Sequence, residues 1–196
     1  AHETRPAPAD QGEWTPGPPG CRGDAGVDHE KDEGECGDRG RFDGMAGTGK
    51  TIWTFEPQPV DIGGRAASLA GRSLAYWTDG TEKRVFHNSG DGRLIAVDAR
   101  TGKAAPGFGR NGSIDLRKGV VEGTPATDVG SVSPALVVGD VLVVQVIVSG
   151  SRNKESAPGY VRGFDVRTGE PVWKFNPVAQ PGQVGGDSWG DRSNTF

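Results

Sequence analysis

A repeated sequence unit restricts the folds open to this 196-residue chain more than any other feature. The unit reads Asp-x-x-Thr-Gly followed by Lys or Glu, and it occurs at residues 98–103 and 165–170. A shorter form, Thr-Gly-Lys, occupies residues 48–50, and its Gly precedes Trp53 by four residues, as Gly169 precedes Trp173. The three glycines lie 53 and 67 residues apart. Repeats of roughly 50 residues are typical of β-propellers, in which each repeat forms one small antiparallel sheet, or blade.

The residue types in the unit suit a tight turn between two strands. An Asp side chain can accept hydrogen bonds from the turn backbone, and Gly readily adopts the positive φ that such a turn requires. The Trp supplies a large flat surface, which we expect to pack between neighbouring sheets. The middle copy has no Trp, and we expect Phe108 to take its place. The alternative is an ordinary hairpin turn that recurs by chance, but this does not explain why Asp and Trp recur with Thr-Gly.

Short apolar runs separated by turn residues predict an all-β fold. Residues 84–87 and 93–98 flank Ser-Gly-Asp-Gly, residues 136–138 and 141–148 flank Gly-Asp, and residues 160–164 and 172–175 flank a third turn. Each pair reads as a hairpin. The β-branched run 141–148 predicts a strand that is buried on both faces. With 33 Gly and 14 Pro, long helices are disfavoured.

Residues 1–45 differ in composition from the rest of the chain. They are rich in Gly, Pro and acidic residues, and their large apolar side chains are almost limited to Trp14, Val27 and Phe42. Such a segment buries too little apolar surface to offset the entropy of ordering it. We therefore expect a disordered or irregular segment at 1–45 and a partial propeller at 46–196. Cys21 and Cys36 lie in the first segment, where a disulfide and two free thiols are equally open.

Composition excludes several functional classes for this sequence. A net charge of −4 gives no basic surface for nucleic acid, so no nucleic-acid partner is expected. No apolar run is long enough to span a membrane, and no cluster of Cys and His has the spacing of zinc ligands. The sequence does not begin with Met or with a signal segment; a signal or anchor could lie upstream.

Residues 44–51, Gly-Met-Ala-Gly-Thr-Gly-Lys-Thr, match the phosphate-binding P-loop pattern of NTPases. That chemistry requires a buried strand before the loop and a helix after it, whose N-terminus faces the phosphates. Residues 37–43 are polar and Gly-rich, and residues 52–57 alternate like a strand and end at Pro57. A P-loop NTPase is therefore a remote alternative.

Several segments after residue 46 resemble one family. They are Ile-Trp-Thr-Phe-Glu-Pro-Gln at 52–58, Gly-Arg-Ser-Leu-Ala-Tyr-Trp at 71–77, the blade-like stretch 93–116, and the most specific match at 152–169, which continues to 180–189. Together they resemble the dehydrogenases that depend on pyrroloquinoline quinone (PQQ). The resemblance implies an eight-bladed propeller, of which this chain would supply about three blades. It also implies PQQ and Ca²⁺ on the propeller axis, where hydride passes from an alcohol or sugar to the quinone.

The resemblance also suggests roles for individual residues. Arg72 falls at the family's arginine that contacts the quinone oxygens, and a guanidinium suits this because it donates several hydrogen bonds and stays charged. Ser131 or Ser133 falls near a family hydroxyl that bonds the cofactor. Arg162 matches a Val-Arg-Gly segment and supports either the site or only the fold. Glu155 lies near the family's metal carboxylate, although a solvated loop residue is the simpler interpretation.

The chain also departs from the family pattern. Ala66 and Ala67 stand where some members have adjacent cysteines, so that disulfide ring cannot form. The Trp under the quinone, the metal-binding Asn and the catalytic Asp come later in the family, beyond Phe196. We therefore assign no catalytic residue here and expect the chain alone to be inactive.

The family resemblance further implies a protein that works in the periplasm, or on the periplasmic face of the inner membrane, and passes electrons to a cytochrome or ubiquinone. The competing hypothesis is a non-catalytic propeller that binds protein partners.

Overall fold

In a computed structural model, which describes residues 15–16, 42–46, 50–58, 61–62, 65–66, 74–120, 129–131, 133–148 and 159–190, the regular secondary structure is almost entirely antiparallel strand. Within these residues there is one short 3-10 turn, Gly186–Ser188, and no helix that is long and apolar enough to cross a membrane. The strands are β1 (Thr15–Pro16), β2 (Phe42–Met45), β3 (Thr51–Phe55), β4 (Asp61–Ile62), β5 (Arg65–Ala66), β6 (Leu74–Thr78), β7 (Lys83–Asn88), β8 (Arg93–Asp98), β9 (Ser113–Asp115), β10 (Val129–Gly130), β11 (Leu136–Val138), β12 (Val141–Gln145), β13 (Ile147–Val148), β14 (Val161–Asp165) and β15 (Pro171–Phe175).

Three of the sheets are blades that follow one another along the chain. Blade A has the order β1-β2-β3, blade B the order β6-β7-β8-β9, and blade C the order β11-β12-β14-β15. Two ribbons, β4-β5 and β10-β13, lie in the connections. The first strands of blades B and C, β6 and β11, contact each other. This is a partial β-propeller of about three blades, as the repeat predicted.

The predicted hairpins are confirmed, with one correction. Blade B contains the β7–β8 hairpin, and blade C contains the β11–β12 and β14–β15 pairs. The run 141–148 is divided, because β12 pairs with β14 whereas β13 pairs with β10. Within β12 only Leu142 and Val144 are buried, so the expectation of a strand buried on both faces is wrong. The predicted domain boundary between residues 45 and 46 falls within the β2–β3 hairpin.

The side chains of strand β7 point alternately to two interfaces, one with blade A and one with blade C. Successive residues of a strand point to opposite faces. Val85 packs toward blade A with Trp53, whereas Phe86 packs toward blade C with Phe108. Each interface is an apolar layer, and the two layers hold the three blades together.

The two complete repeat units form the same turn. Asp98 Oδ1 accepts hydrogen bonds from the backbone N–H groups of Arg100 (3.0 Å) and Thr101 (2.9 Å) and from the Thr101 hydroxyl (3.0 Å). Asp165 accepts the equivalent bonds from the next turn, whose donors are Arg167 N (2.9 Å), Thr168 N (2.8 Å) and the Thr168 hydroxyl (3.0 Å). Gly102 and Gly169 follow with φ of 67° and 74°. The predicted roles of Asp and Gly are therefore confirmed.

Trp53 joins blade A to blade B. Its indole lies over Gly44 of its own blade and against Gly102 of the next blade. A Cβ added to Gly44 would lie 2.2 Å from a ring atom, and one added to Gly102 would lie 2.5 Å from a ring atom. The indole N–H donates to the Ala99 carbonyl oxygen at 2.9 Å. This confirms the predicted packing of the repeat Trp between neighbouring sheets.

Phe108 and Arg84 together replace this Trp between blades B and C. Phe108 is fully buried, and its ring lies 3.2 Å from the position of a Cβ on Gly169. A phenyl ring has no N–H to donate. Arg84 instead donates from Nη1 to the carbonyl oxygen of Val166 at 3.1 Å. Val166 follows Asp165 in its repeat unit, as Ala99 follows Asp98 in the preceding unit. The expectation for Phe108 is confirmed, and Arg84 supplies the donor that it lacks.

Candidate functional site

The ends of the blades at which β6 and β11 begin, here called the upper end, carry three of the predicted cofactor-binding residues, Ser131, Ser133 and Arg162. Leu74 at the start of β6 pairs with His87, so the end of β7 lies there too. Val161 at the start of β14 pairs with Gln145 at the end of β12. The starts of β6, β11 and β14 therefore lie at the same end of the blades.

Ser131 and Ser133 lie at the upper end on the connection to β11 and are held there by Asn88. The Asn88 side-chain N–H₂ donates to Ser131 Oγ at 3.0 Å and to the Ser133 carbonyl oxygen. The Ser131 hydroxyl in turn donates to the same Ser133 carbonyl at 3.2 Å. Asn88 and Ser131 are buried, whereas Ser133 is exposed. Of the two serines, Ser133 is therefore the one that is accessible from outside the protein.

Arg162 also lies at the upper end, but its guanidinium is turned toward the neighbouring blade. Nη1 donates to the Lys118 carbonyl oxygen at 2.8 Å, and Nη2 donates to that of Leu116. The guanidinium carbon lies 5.1 Å from the centre of the Phe164 ring. These contacts join blade C to the segment after β9. The contacts stabilise the packing of blade C against blade B at the upper end. A direct contact between Arg162 and the cofactor stays a prediction.

Two carboxylates at the upper end, those of Asp91 and Asp115, form ion pairs with arginines. The Asp91 side chain is fully buried and bound to Arg93 Nε at 2.7 Å, and Arg93 also donates to the Gln58 carbonyl. Asp115 pairs with Arg117 at 2.8 Å. Burial raises the pKa of Asp115, but hydrogen bonds from the Arg117 side chain and backbone outweigh it and lower the pKa. Each of the two carboxylates therefore forms an ion pair with an arginine.

The remaining predicted site residues are Arg72 and Glu155, which lie outside the described residues, as do Cys21 and Cys36. Among the residues that are described, no group of three or more His, Cys, Asp or Glu could hold a metal ion. Side chains at Ala66 and Ala67 are likewise not described. Of the predicted set, the structure joins Ser131 and Ser133 through Asn88, whereas the Arg162 guanidinium contacts the segment after β9.

The structure does not support the P-loop alternative. Lys50 is exposed and is followed at once by strand β3, which pairs with β2. A phosphate-binding loop would lead into a helix at this point.

Asn88 is the residue that sequence reasoning missed. The available signal was its position, because strand alternation places it on the same face as the buried Phe86, where an apolar residue is usual.

Comparison with known proteins identifies the class of this propeller. The model of the family "PQQ: Glucose/ethanol/alcohol dehydrogenase, beta-propeller domain" matches residues 45–196. The chain belongs to this family.

Relatives agree with that assignment. Quinoprotein glucose dehydrogenase A of Acinetobacter calcoaceticus is 31% identical over 159 residues, which cover 69% of this chain and 20% of that protein. The dehydrogenase subunit of the quinone-type alcohol dehydrogenase of Komagataeibacter europaeus is 30% identical over 155 residues, covering 73% of this chain and 18% of the subunit. The chain thus spans about a fifth of the length of the curated relatives it matches.

A solved structure of quinohemoprotein alcohol dehydrogenase from Pseudomonas putida superposes with a TM-score of 0.52 at 25% identity, covering 71% of this chain and 18% of that one. The non-catalytic propeller is accordingly not favoured.

The described residues fit a cofactor of the PQQ type in their chemistry. Its quinone and carboxylate oxygens accept hydrogen bonds, so a binding site must offer donors. Ser133, an exposed residue, carries such a donor, and the buried Ser89 hydroxyl has no hydrogen-bond partner within the described part of the chain. Neutral donors of this kind at the upper end are compatible with the cofactor.

Proposed function

We propose that this chain is part of a PQQ-dependent oxidoreductase that acts on CH–OH groups and oxidises a sugar or an alcohol to the carbonyl compound. Membership of the PQQ dehydrogenase propeller family over residues 45–196 carries the proposal. The common position of the starts of β6, β11 and β14 at the upper end supports it, because the blades of a propeller surround a central channel. When bound, PQQ would accept the hydride that the substrate carbon gives up.

In this proposal the chain's own residues hold and orient the cofactor. Arg72, two residues before the start of β6 in the chain, provides a permanently charged donor to the quinone oxygens. Ser133 provides a neutral donor at the same end, supported by the buried Ser131. Arg162 fixes the start of β14 against blade B. Glu155, four residues before Gly159, contributes a carboxylate to a Ca²⁺ ion, a cation that prefers oxygen ligands.

The substrate, electron acceptor and location follow from the family. We propose an alcohol or sugar as substrate, since the two relatives described above are a glucose dehydrogenase and an alcohol dehydrogenase. A cytochrome or ubiquinone would take the electrons. The protein would work in the periplasm or on the periplasmic face of the inner membrane.

The proposal is tested on the complete protein that contains this chain. Purified without cofactor, it should bind PQQ and, with added Ca²⁺, reduce a dye in the presence of glucose or a primary alcohol. Replacing Arg72 with Met should weaken PQQ binding about 10- to 100-fold, the loss expected for hydrogen bonds from a charged donor. Titration of the apo-protein with PQQ measures this affinity.

Arg100→Met is the matched control, because Arg100 is exposed and its side chain donates only to the Thr81 carbonyl in the described residues. It should bind PQQ like the wild type. A complete protein that neither binds PQQ nor oxidises any alcohol or sugar would instead favour the non-catalytic propeller.

A further inference from the structure

Asn88 connects blade B to the serine loop of blade C at the upper end, where loop means residues 131–135. It is the last residue of β7, and Ser131 lies 43 residues further along the chain. The contact therefore crosses the interface between two blades. It is also the contact that places Ser133, the exposed serine.

The hydrogen-bond geometry leaves one orientation for the Asn88 side chain. The Ser133 carbonyl oxygen can only accept, so the Asn88 atom that faces it must be the N–H₂ group. The same group donates to Ser131 Oγ, and the Ser131 hydrogen points to the Ser133 carbonyl. Three polar groups thus form a closed arrangement, in which the Ser133 carbonyl accepts two hydrogen bonds.

This arrangement gives Ser131 and Ser133 different roles. The Ser131 hydroxyl has already given its hydrogen to Ser133 and is 2% exposed, so it has no donor to offer a ligand. The Ser133 hydroxyl takes no part in the arrangement, and Ser133 is exposed. Ser131 consequently supports the loop, and Ser133 is the serine that can donate outward.

An amide side chain at position 88 stabilises the interface between blades B and C less well than an apolar side chain would. Its Oδ1 atom is buried and has no hydrogen-bond partner among the residues that the structure describes. A buried acceptor that lacks a donor destabilises a fold, whereas an apolar residue of similar shape is often nearly neutral. Phe86, two residues earlier on the same face, shows that this interface accepts apolar side chains.

We propose that Asn88 is a positioning residue, which holds the serine loop of blade C so that the Ser133 hydroxyl faces the PQQ site. The inference rests on the proposed function and adds to it a residue that acts through the loop. Asn88 itself does not touch the cofactor.

The test uses the complete protein and compares Asn88→Leu with the wild type. Leu keeps the approximate volume but cannot donate, so the loop loses its tether while the apolar layer is kept. We expect PQQ to bind about tenfold more weakly, as the loss of one or two hydrogen bonds predicts. The melting temperature of the apo-protein should stay close to that of the wild type. Amide hydrogen exchange across residues 131–135 should become faster in the apo-protein.

Two further variants separate positioning from general damage. Asn88→Asp places a carboxylate against the Ser133 carbonyl and should weaken PQQ binding at least as much as Asn88→Leu. Arg84→Met removes a buried cross-blade donor from the opposite end of the same strand and should lower the melting temperature without changing PQQ affinity.

The outcomes distinguish this inference from the proposed function. If the wild type binds PQQ and Asn88→Leu binds it equally well, the role of Asn88 is overturned and the proposed function stands. The role is also overturned if the variants lose affinity only in step with melting temperature. If the wild type fails to bind PQQ, the proposed function and the inference both fail.

Discussion

Gly102 lies against the Trp53 indole across the interface between blades A and B, at a φ of 67°. Substitution with Ala adds a Cβ that would lie 2.5 Å from the indole, and the Trp cannot move away without losing its bond to Ala99. We expect Gly102→Ala to lower the free energy of unfolding by about 3–5 kcal/mol, combining the left-handed backbone penalty with overpacking. Urea denaturation of the purified chain measures this change.

Gly139→Ala is the matched control, since Gly139 has a φ of 57° and an added Cβ would meet no atom within 4 Å. It should cost only the backbone penalty, about 1–2 kcal/mol. Equal losses for the two variants would show that the Trp53 contact contributes nothing to the effect at Gly102.

Arg84 shows that the same inter-blade function can be met by a different residue type. The guanidinium reaches three carbonyl groups of blades B and C, those of Pro106, Val166 and Arg167. A guanidinium presents several donors in one plane and stays charged, so it can bridge acceptors that a single indole N–H cannot. The pair of Phe108 and Arg84 thus separates the apolar surface and the donor that Trp combines in one side chain.

At the scale of the secondary-structure element, the Asp165 turn between β14 and β15 should make stability depend on pH. Burial raises the pKa of Asp165, but hydrogen bonds from the Thr168 and Arg167 backbone outweigh it, and the pKa is lowered. A lowered folded pKa means that the folded state binds fewer protons than the unfolded chain, whose Asp titrates near 3.9. The carboxylate therefore stabilises the fold above about pH 4, and this stability is lost as the pH falls through the folded pKa.

Asp165→Asn tests this dependence. At pH 7 the variant should be less stable than the wild type by at most about 1 kcal/mol, because the carboxylate is largely exposed to solvent. The difference should shrink as the pH is lowered below about 4 and through the folded pKa, because the wild-type carboxyl then becomes protonated as well. Melting temperatures measured between pH 3 and 7 give the comparison, and a difference that stays constant over this range would contradict the prediction.

The turns could be predicted from sequence because every group in them lies within five residues. Asp165 bonds Arg167 and Thr168, and each partner is fixed by the same short pattern. The roles of Arg84 and Asn88 could not be predicted, since their partners lie 82 and 43 residues away. Their identity depends on which blades become neighbours, and no local pattern carries that information. The division of the run 141–148 was missed for the same reason, because β13 pairs with a distant strand.

At the scale of the whole molecule, the two outer blades differ in what covers their repeat Trp. Blade B covers the indole of Trp53, which is 9% exposed. Trp173 lies over Gly163 as Trp53 lies over Gly44, but it is 39% exposed. Around it blade C exposes further apolar side chains, among them Leu136 and Phe175. Exposed apolar patches of this kind mark surfaces that bind another surface or cause aggregation.

This difference predicts unequal effects when each Trp is replaced with Ala in the chain. Trp53→Ala removes a buried indole together with its hydrogen bond to Ala99, so it should lower the free energy of unfolding by about 3–5 kcal/mol. Trp173→Ala should cost about 1–2 kcal/mol, because the exposed part of its indole already contacts solvent.

The two sites are matched, since each indole packs on a glycine of the neighbouring strand. Chemical denaturation at low protein concentration keeps association from masking the result. A loss at Trp173 as large as that at Trp53 would mean that the indole is stabilised by its own blade rather than by the blade that covers it.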